Sequence, residues 1–187
     1  MALATFALWF LIGIIALLVL MLLYYFNRFV LLGNRIDNSL SQIDVQLRKR
    51  ADLVPNLINT VKGYAKHESK IMTAVTNARK AILAATTLPE KMKAGNQLQT
   101  ALKSIFAIAE NYPQLRANEN FLQLQQELSA IEDKIAYARQ YYNDSILEFN
   151  NSVATFPGVF FASLFSKKKR EFLQIPQEAK AVPKVEF

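Results

Sequence analysis

The first 27 residues carry no charged side chain, and the first cation, Arg28, follows directly. The stretch is apolar without interruption from Ile14 to Leu23, and the wider segment from Thr5 to Phe26 holds 22 residues. About 20 apolar residues in a helix are enough to cross the hydrocarbon core of a bilayer. The sequence therefore predicts a single transmembrane helix at the N-terminus.

The ends of this segment have the aromatic residues that favour a membrane–water interface. Trp9 lies near one end, and Tyr24 and Tyr25 lie at the other. Gly13 has no small residue four positions away, so the segment lacks the small-residue motif of helix dimers. It also lacks the basic start and the small-residue cleavage site of a signal peptide, and we expect a retained anchor.

The basic residues follow the predicted span rather than preceding it. Arg28, Arg35 and the cluster from Arg48 to Arg50 come after it. By the positive-inside rule, we expect the N-terminus outside and the C-terminal domain in the cytoplasm. The net charge is +7, and the basic stretches 28–80 and 149–187 suit anionic lipid headgroups, although nucleic acid would be an equally charged partner.

The remainder predicts an all-α domain. The whole chain of 187 residues has only five Gly and six Pro, while Ala, Leu, Gln, Glu and Lys are abundant. From Ile36 to Val61, positions three and four apart form one seam, which is apolar except at Arg50. Pro55 interrupts it, and there we expect a kink rather than a stop.

Two architectures remain open at Gly63. The rhythm continues to Ile82, which would allow one very long helix, but Gly63 followed by Tyr64 also fits a helix C-cap. We favour a turn at this glycine because four helices of matched length would then return the last one toward the bilayer. The division we expect is an anchor over 1–30, a helical bundle over 31–156 and an apolar, basic tail over 157–187.

Later helix ends have recognisable signals. Thr87 and Glu90 have the spacing of a capping box, and Tyr112–Pro113 should end the helix that they begin. Asn118 is the expected N-cap of a long last helix, which should run to Phe156–Pro157–Gly158.

The sequence lacks the residues that most catalytic sites need. The chain has no Cys and one His, His67. The residue four after His67 is Ile71, so the zinc-protease motif fails, and a di-iron bundle needs more than one His. Glu132 and Asp133 are adjacent and would diverge on a helix. We expect no enzyme activity, no metal, no cofactor and no nucleic-acid partner.

Several stretches resemble the bacterial LemA family. They are NRID at 34–37, SQIDVQL at 41–47, RADLVPNL at 50–57, VKGYAKHE at 61–68, ENYPQLRANE at 110–119, RQYYN at 139–143 and AVPKVEF at 181–187. The resemblance implies an antiparallel four-helix bundle on an N-terminal anchor in a bacterial cytoplasmic (inner) membrane, and it carries over no catalysis. Some members look associated with membrane remodelling or membrane proteases, which indicates an organising role.

Two groups of charged residues are candidate functional features. Arg50 and Glu68 are the charges on the extended seam, and a turn at Gly63 would let them pair; otherwise each extends to water. In the tail, an apolar stretch precedes four cations and is a candidate lipid-surface contact, together with Arg28; the alternative is that it covers the bundle core. The candidate lipid-surface residues are Arg28, Phe160, Phe161, Phe165, Lys167, Lys168, Lys169 and Arg170.

These observations predict a membrane-anchored, non-enzymatic scaffold or adaptor. Its long helices would associate with copies of the same chain and organise the membrane surface. The alternative is a regulatory subunit of a membrane protease or signalling complex.

Overall fold

Helices account for nearly all of the regular structure. The computed structural model describes residues 2–65 and 67–173, and this part of the chain forms six α-helices and no strand. The all-α prediction is confirmed, while the antiparallel four-helix arrangement stays a prediction. The helices are α1 (Ala2–Lys62), α2 (Ser69–Ala84), α3 (Leu88–Ala109), α4 (Pro113–Arg116), α5 (Glu119–Ala154) and α6 (Gly158–Leu164).

The turn near Gly63 is confirmed, but its form is not the glycine cap that we expected. Among the described residues, no glycine has a positive φ. Instead, the backbone N–H groups of Tyr64 and Ala65 both donate to the Val61 carbonyl, at 3.0 and 2.9 Å. Ala65 is fully buried, so packing draws the chain inward as α1 ends.

The other predicted boundaries agree with the structure. Thr87 and Glu90 form the complete capping box of α3, and the Asn118 side chain accepts from the Phe121 N–H at 3.0 Å. α1 continues through Pro55, as predicted. The segment before Asn118 contains the short α4, held by the fully buried Leu115.

Buried residues follow the predicted seams. In α1 the buried positions include Ile36, Ile43, Leu47, Arg50, Val54, Leu57 and Val61, and in α5 they include Phe121, Leu124, Leu128, Ile131, Ile135, Tyr142, Ser145 and Phe149. Spacings of three and four place these side chains on one face of each helix.

The chain divides into two compact units. The first combines residues 1–39 with 139–187, and the second is Leu40–Ala138. The first unit therefore contains the predicted anchor, the end of α5 and α6. In the second unit α2 and α3 pack together as neighbours. The linear division at residues 30 and 156 stays a prediction, and the family-like stretch 181–187 lies outside the described residues.

The N-terminal part of α1 is long and apolar enough to cross a membrane, and its most apolar window is 0% buried in the protein. A core helix of the same composition would be covered by other elements. Trp9 is 72% exposed, no atom lies within 4 Å of a Cβ added at Gly13, and Tyr24 meets Tyr25 edge to face.

Candidate membrane-surface site

An aromatic cluster joins α6 to the end of the predicted span. The Phe161 ring stacks on the Tyr25 ring, with centroids 4.9 Å apart and planes at 7°. Phe165 meets Phe26 edge to face at 5.4 Å and Phe29 at 6.5 Å. Phe29 is 2% exposed. The inner face of α6 is therefore packed on α1 at the level where the span ends.

Gly158 permits this close approach. A Cβ at this position would overlap the carbonyl oxygen of Ser152 and lie 3.1 Å from Cε1 of Tyr25. The first obstacle is backbone and cannot rotate away, so only glycine allows α6 to begin here.

Arg28, expected to face lipid headgroups, makes contacts within the protein. Its Nε donates to Ser152 Oγ at 2.9 Å and its Nη1 donates to the Tyr24 hydroxyl at 3.0 Å. Its Nη2 lies 3.7 Å from the carboxylate of Glu148, which also pairs with Arg35 at 2.6 Å. These partly exposed groups connect α1 to the end of α5.

Two asparagines of α5 hold the chain that follows α6. Asn150 donates to the Arg170 carbonyl at 2.9 Å and accepts from the Arg170 N–H at 2.8 Å. Asn143 does the same for Leu173, at 3.3 and 2.9 Å. Each amide satisfies both backbone groups of one residue. The seven residues from Asn143 to Asn150 rise about 10 Å along α5, and three residues of extended chain, the separation of Arg170 and Leu173, also span about 10 Å. The spacings of the two pairs therefore match.

The Arg170 side chain reinforces this attachment. Its guanidinium lies 5.2 Å from the Phe149 ring centroid and 3.4 Å from Asp37 Oδ1. Burial raises the pKa of the neighbouring Tyr142; Arg170 acts in the opposite direction and Asp37 adds to the rise. Sequence reasoning missed these asparagines, although Asn143 and Asn150 are seven residues apart, which puts them near one face of α5.

The candidate lipid-surface residues thus separate into two groups. Phe161, Phe165, Arg28 and Arg170 all contact the protein, as described above. Phe160 is 66% exposed, and Lys167, Lys168 and Lys169 are all exposed.

In the second unit, the expected pairing of Arg50 with Glu68 is wrong. Arg50, 2% exposed, forms its ion pair with Glu132, and Gln99 donates to the same carboxylate at 2.6 Å. The turn at Gly63 does not bring Glu68 to this position; α5 supplies the partner instead. Burial lowers the pKa of Arg50 to about 10, which leaves it charged at neutral pH. This network links α1, α3 and α5.

No cluster of three or more His, Cys, Asp or Glu side chains within residues 2–65 and 67–173 could hold a metal ion. A groove in the second unit has a volume of about 460 Å³. It is lined by Leu53, Asn56, Asn59, Thr60, Asn120, Gln123, Leu124 and Glu127. Neutral amides dominate this lining, beside the carboxylate of Glu127.

Curated relatives share the sequence at low identity. A LemA protein of Metamycoplasma hominis is 26% identical over 126 residues, which are 66% of this chain and 57% of that protein. The magnetosome protein MamQ of Magnetospirillum gryphiswaldense is 23% identical over 177 residues, which are 81% of this chain and 65% of that protein. MamQ 2 of Paramagnetospirillum magneticum is 22% identical over 179 residues, which are 82% of this chain and 66% of that protein. The chain spans less than two thirds of the length of each of these relatives.

The family comparison covers most of the chain. The LemA family model matches residues 39–187, which include the packed seam of α1, all later helices and the tail. The chain belongs to the LemA family.

Proposed function

We propose that the protein is a non-enzymatic scaffold, held at the cytoplasmic face of a bacterial inner membrane by α1, that self-associates and organises the membrane surface. One observation carries the proposal. The exposed apolar segment of α1 continues without a break into the packed residues Phe29, Leu32 and Ile36. A flexible linker would let the domain drift, whereas this helix ties the anchor directly to the core of the first unit.

The family relationship supports a role at membranes without naming a reaction. Neither the name LemA nor the name MamQ is that of an enzyme. MamQ is named a magnetosome protein, and its similarity to this chain supports the proposed role as a membrane-associated protein.

We assign self-association to a groove between α1 and α5 in the second unit. Its charged lining combines the cations Lys49 and Lys134 with the anions Asp52 and Glu127. A two-fold contact places the same patch on both copies, so a patch with both signs can complement itself.

Cross-linking of full-length protein in native membranes, followed by sizing in mild detergent, tests the scaffold. A homogeneous assembly of several copies is expected. A monomer that co-purifies with a protease or sensor would instead favour the regulatory-subunit alternative and overturn self-association.

Charge reversal tests the groove separately. The pair Lys49→Glu and Lys134→Glu makes its charged lining wholly acidic and should shift the assembly toward monomer. The pair Lys93→Glu and Lys103→Glu changes net charge equally at exposed positions of α3 and should leave the assembly intact. Equal effects of the two pairs would rule the groove out.

A further inference from the structure

α6 has two apolar faces, and within residues 2–65 and 67–173 only one of them is covered. Phe161, Ala162 and Phe165 face the packed side, where Phe161 and Phe165 meet the rings of α1. On the other side, Phe156, Phe160 and Leu164 are 80%, 66% and 64% exposed. Phe160 and Leu164 are four residues apart on α6, and the Phe156 ring, just before the helix, meets the Phe160 ring edge to face at 5.9 Å, so the three side chains form one outward stripe.

The position of α6 along α1 indicates what covers this stripe. Its rings contact Tyr25, Phe26 and Phe29, which lie at the end of the apolar segment. Tyrosines at the end of a span favour the headgroup level, and the Arg28 guanidinium bonded to the Tyr24 hydroxyl fits that level. A helix fixed beside these residues lies where lipid, rather than bulk water, is the neighbour.

The cations after α6 fit the same surroundings. Lys167, Lys168 and Lys169 are exposed, while Arg170 is held by Asn150 and Asp37. Because Arg170 is fixed, the three lysines that precede it stay close to the apolar stripe. Apolar side chains beside exposed ammonium groups are the pattern of a segment that lies in the interface of an anionic leaflet.

We propose that α6 is an interfacial membrane contact: Phe156, Phe160 and Leu164 insert among the lipid chains, and Lys167–Lys169 bind anionic headgroups. The protein would thus hold the membrane at two places, through the span and through α6. The inference rests on the anchor of the proposed function but not on self-association.

Depth-dependent fluorescence quenching tests the insertion. Trp9 is the chain's single tryptophan, so Trp9→Phe gives a dark background for full-length protein in nanodiscs with one chain each. In this background the indole of Phe160→Trp should be quenched by lipids labelled near the headgroup and shielded from aqueous acrylamide, by about twofold or more. Tyr137→Trp, at a position 71% exposed in the second unit, should show the reverse.

A comparison of lipid compositions tests the lysines. Quenching of the Phe160→Trp indole should be stronger in discs with anionic lipid than in neutral discs, and high salt should reduce the difference. Replacement of Lys167, Lys168 and Lys169 by Gln should remove it. An indole at position 160 that acrylamide reaches as readily as the one at 137 overturns the insertion, and equal quenching in both lipids overturns the headgroup contact. Neither result depends on self-association, because each disc holds one chain.

Discussion

At the scale of single residues, Arg50 and Glu132 show how burial sets the free-energy cost of removing one partner of an ion pair. The Arg50 side chain is 3% exposed and the Glu132 side chain is 34% exposed. An unpaired Arg50 would stay buried, whereas an unpaired Glu132 can turn to water. The two members of one pair should therefore differ in their response to substitution.

We expect Glu132→Gln to lower the free energy of unfolding by about 3 kcal/mol, because it leaves the buried guanidinium without its counter-charge. Arg50→Met should cost only about 1 kcal/mol, because the remaining carboxylate is close to water. Thermal unfolding of full-length protein in detergent, followed by circular dichroism, measures both. A larger loss for Arg50→Met would contradict this account.

Glu90 predicts a pH dependence at the start of α3. Hydrogen bonds from the backbone N–H groups of Thr87 and Thr86 hold the pKa of Glu90 below its usual value. A carboxyl whose pKa is lowered by folding stabilises the protein above its ordinary pKa, and this contribution is lost as the pH falls through the lowered value.

Glu90→Gln should consequently lower the melting temperature at pH 7 and have a smaller effect at an acid pH below the lowered pKa, where the wild-type carboxyl is protonated. Glu110→Gln, at the other end of α3, controls for the loss of one negative charge. The same shift from Glu90→Gln at both pH values would show that the capping box does not act through its charge.

At the scale of elements, Gly158 positions α6, and two asparagines of α5, Asn143 and Asn150, hold the chain that follows it. Hydrophobic periodicity cannot reveal these roles, because each residue acts through contact with the backbone of another segment. Gly158 meets the Ser152 carbonyl, and Asn150 meets the peptide groups of Arg170.

Gly158→Ala should destabilise the first unit by about 1–3 kcal/mol, because the new methyl group must displace backbone. Gly13→Ala adds the same methyl group within the span, where no atom lies within 4 Å, and should leave the melting temperature unchanged. Equal melting temperatures for the two variants would mean that α6 does not pack as described.

Asn150→Ala should free the chain around Arg170. Two hydrogen bonds worth about 1 kcal/mol each are lost, so local opening should increase by about tenfold or more. Hydrogen–deuterium exchange of the peptide containing Arg170 measures this opening. Asn151→Ala, at an exposed neighbouring position, is the control and should leave exchange unchanged.

At the scale of the whole molecule, the remaining question is the side of the membrane on which the helical units lie. The chain has no cysteine, so a single introduced thiol reports on its own position. In intact cells, Tyr137→Cys should be protected from a membrane-impermeant maleimide, whereas Ala2→Cys should react. The reverse pattern would contradict the positive-inside orientation.

The sequence by itself determined the apolar segment, the helical class, the seams, and the caps at Thr87 and Asn118. Each of these depends on side-chain chemistry within a few turns of one helix, and periodicity reports it directly. Even the turn at Gly63 was among the alternatives, although the buried Ala65, rather than a glycine cap, completes it.

Only the tertiary structure decided which distant residues meet. Arg50 finds Glu132 rather than Glu68, Asn150 finds Arg170, and Phe161 finds Tyr25. Pairing across the fold depends on how helices are placed against one another, and one chain's hydrophobic pattern carries no record of that placement. For the same reason, the tail's division into a packed face and an exposed stripe could not be read from its composition.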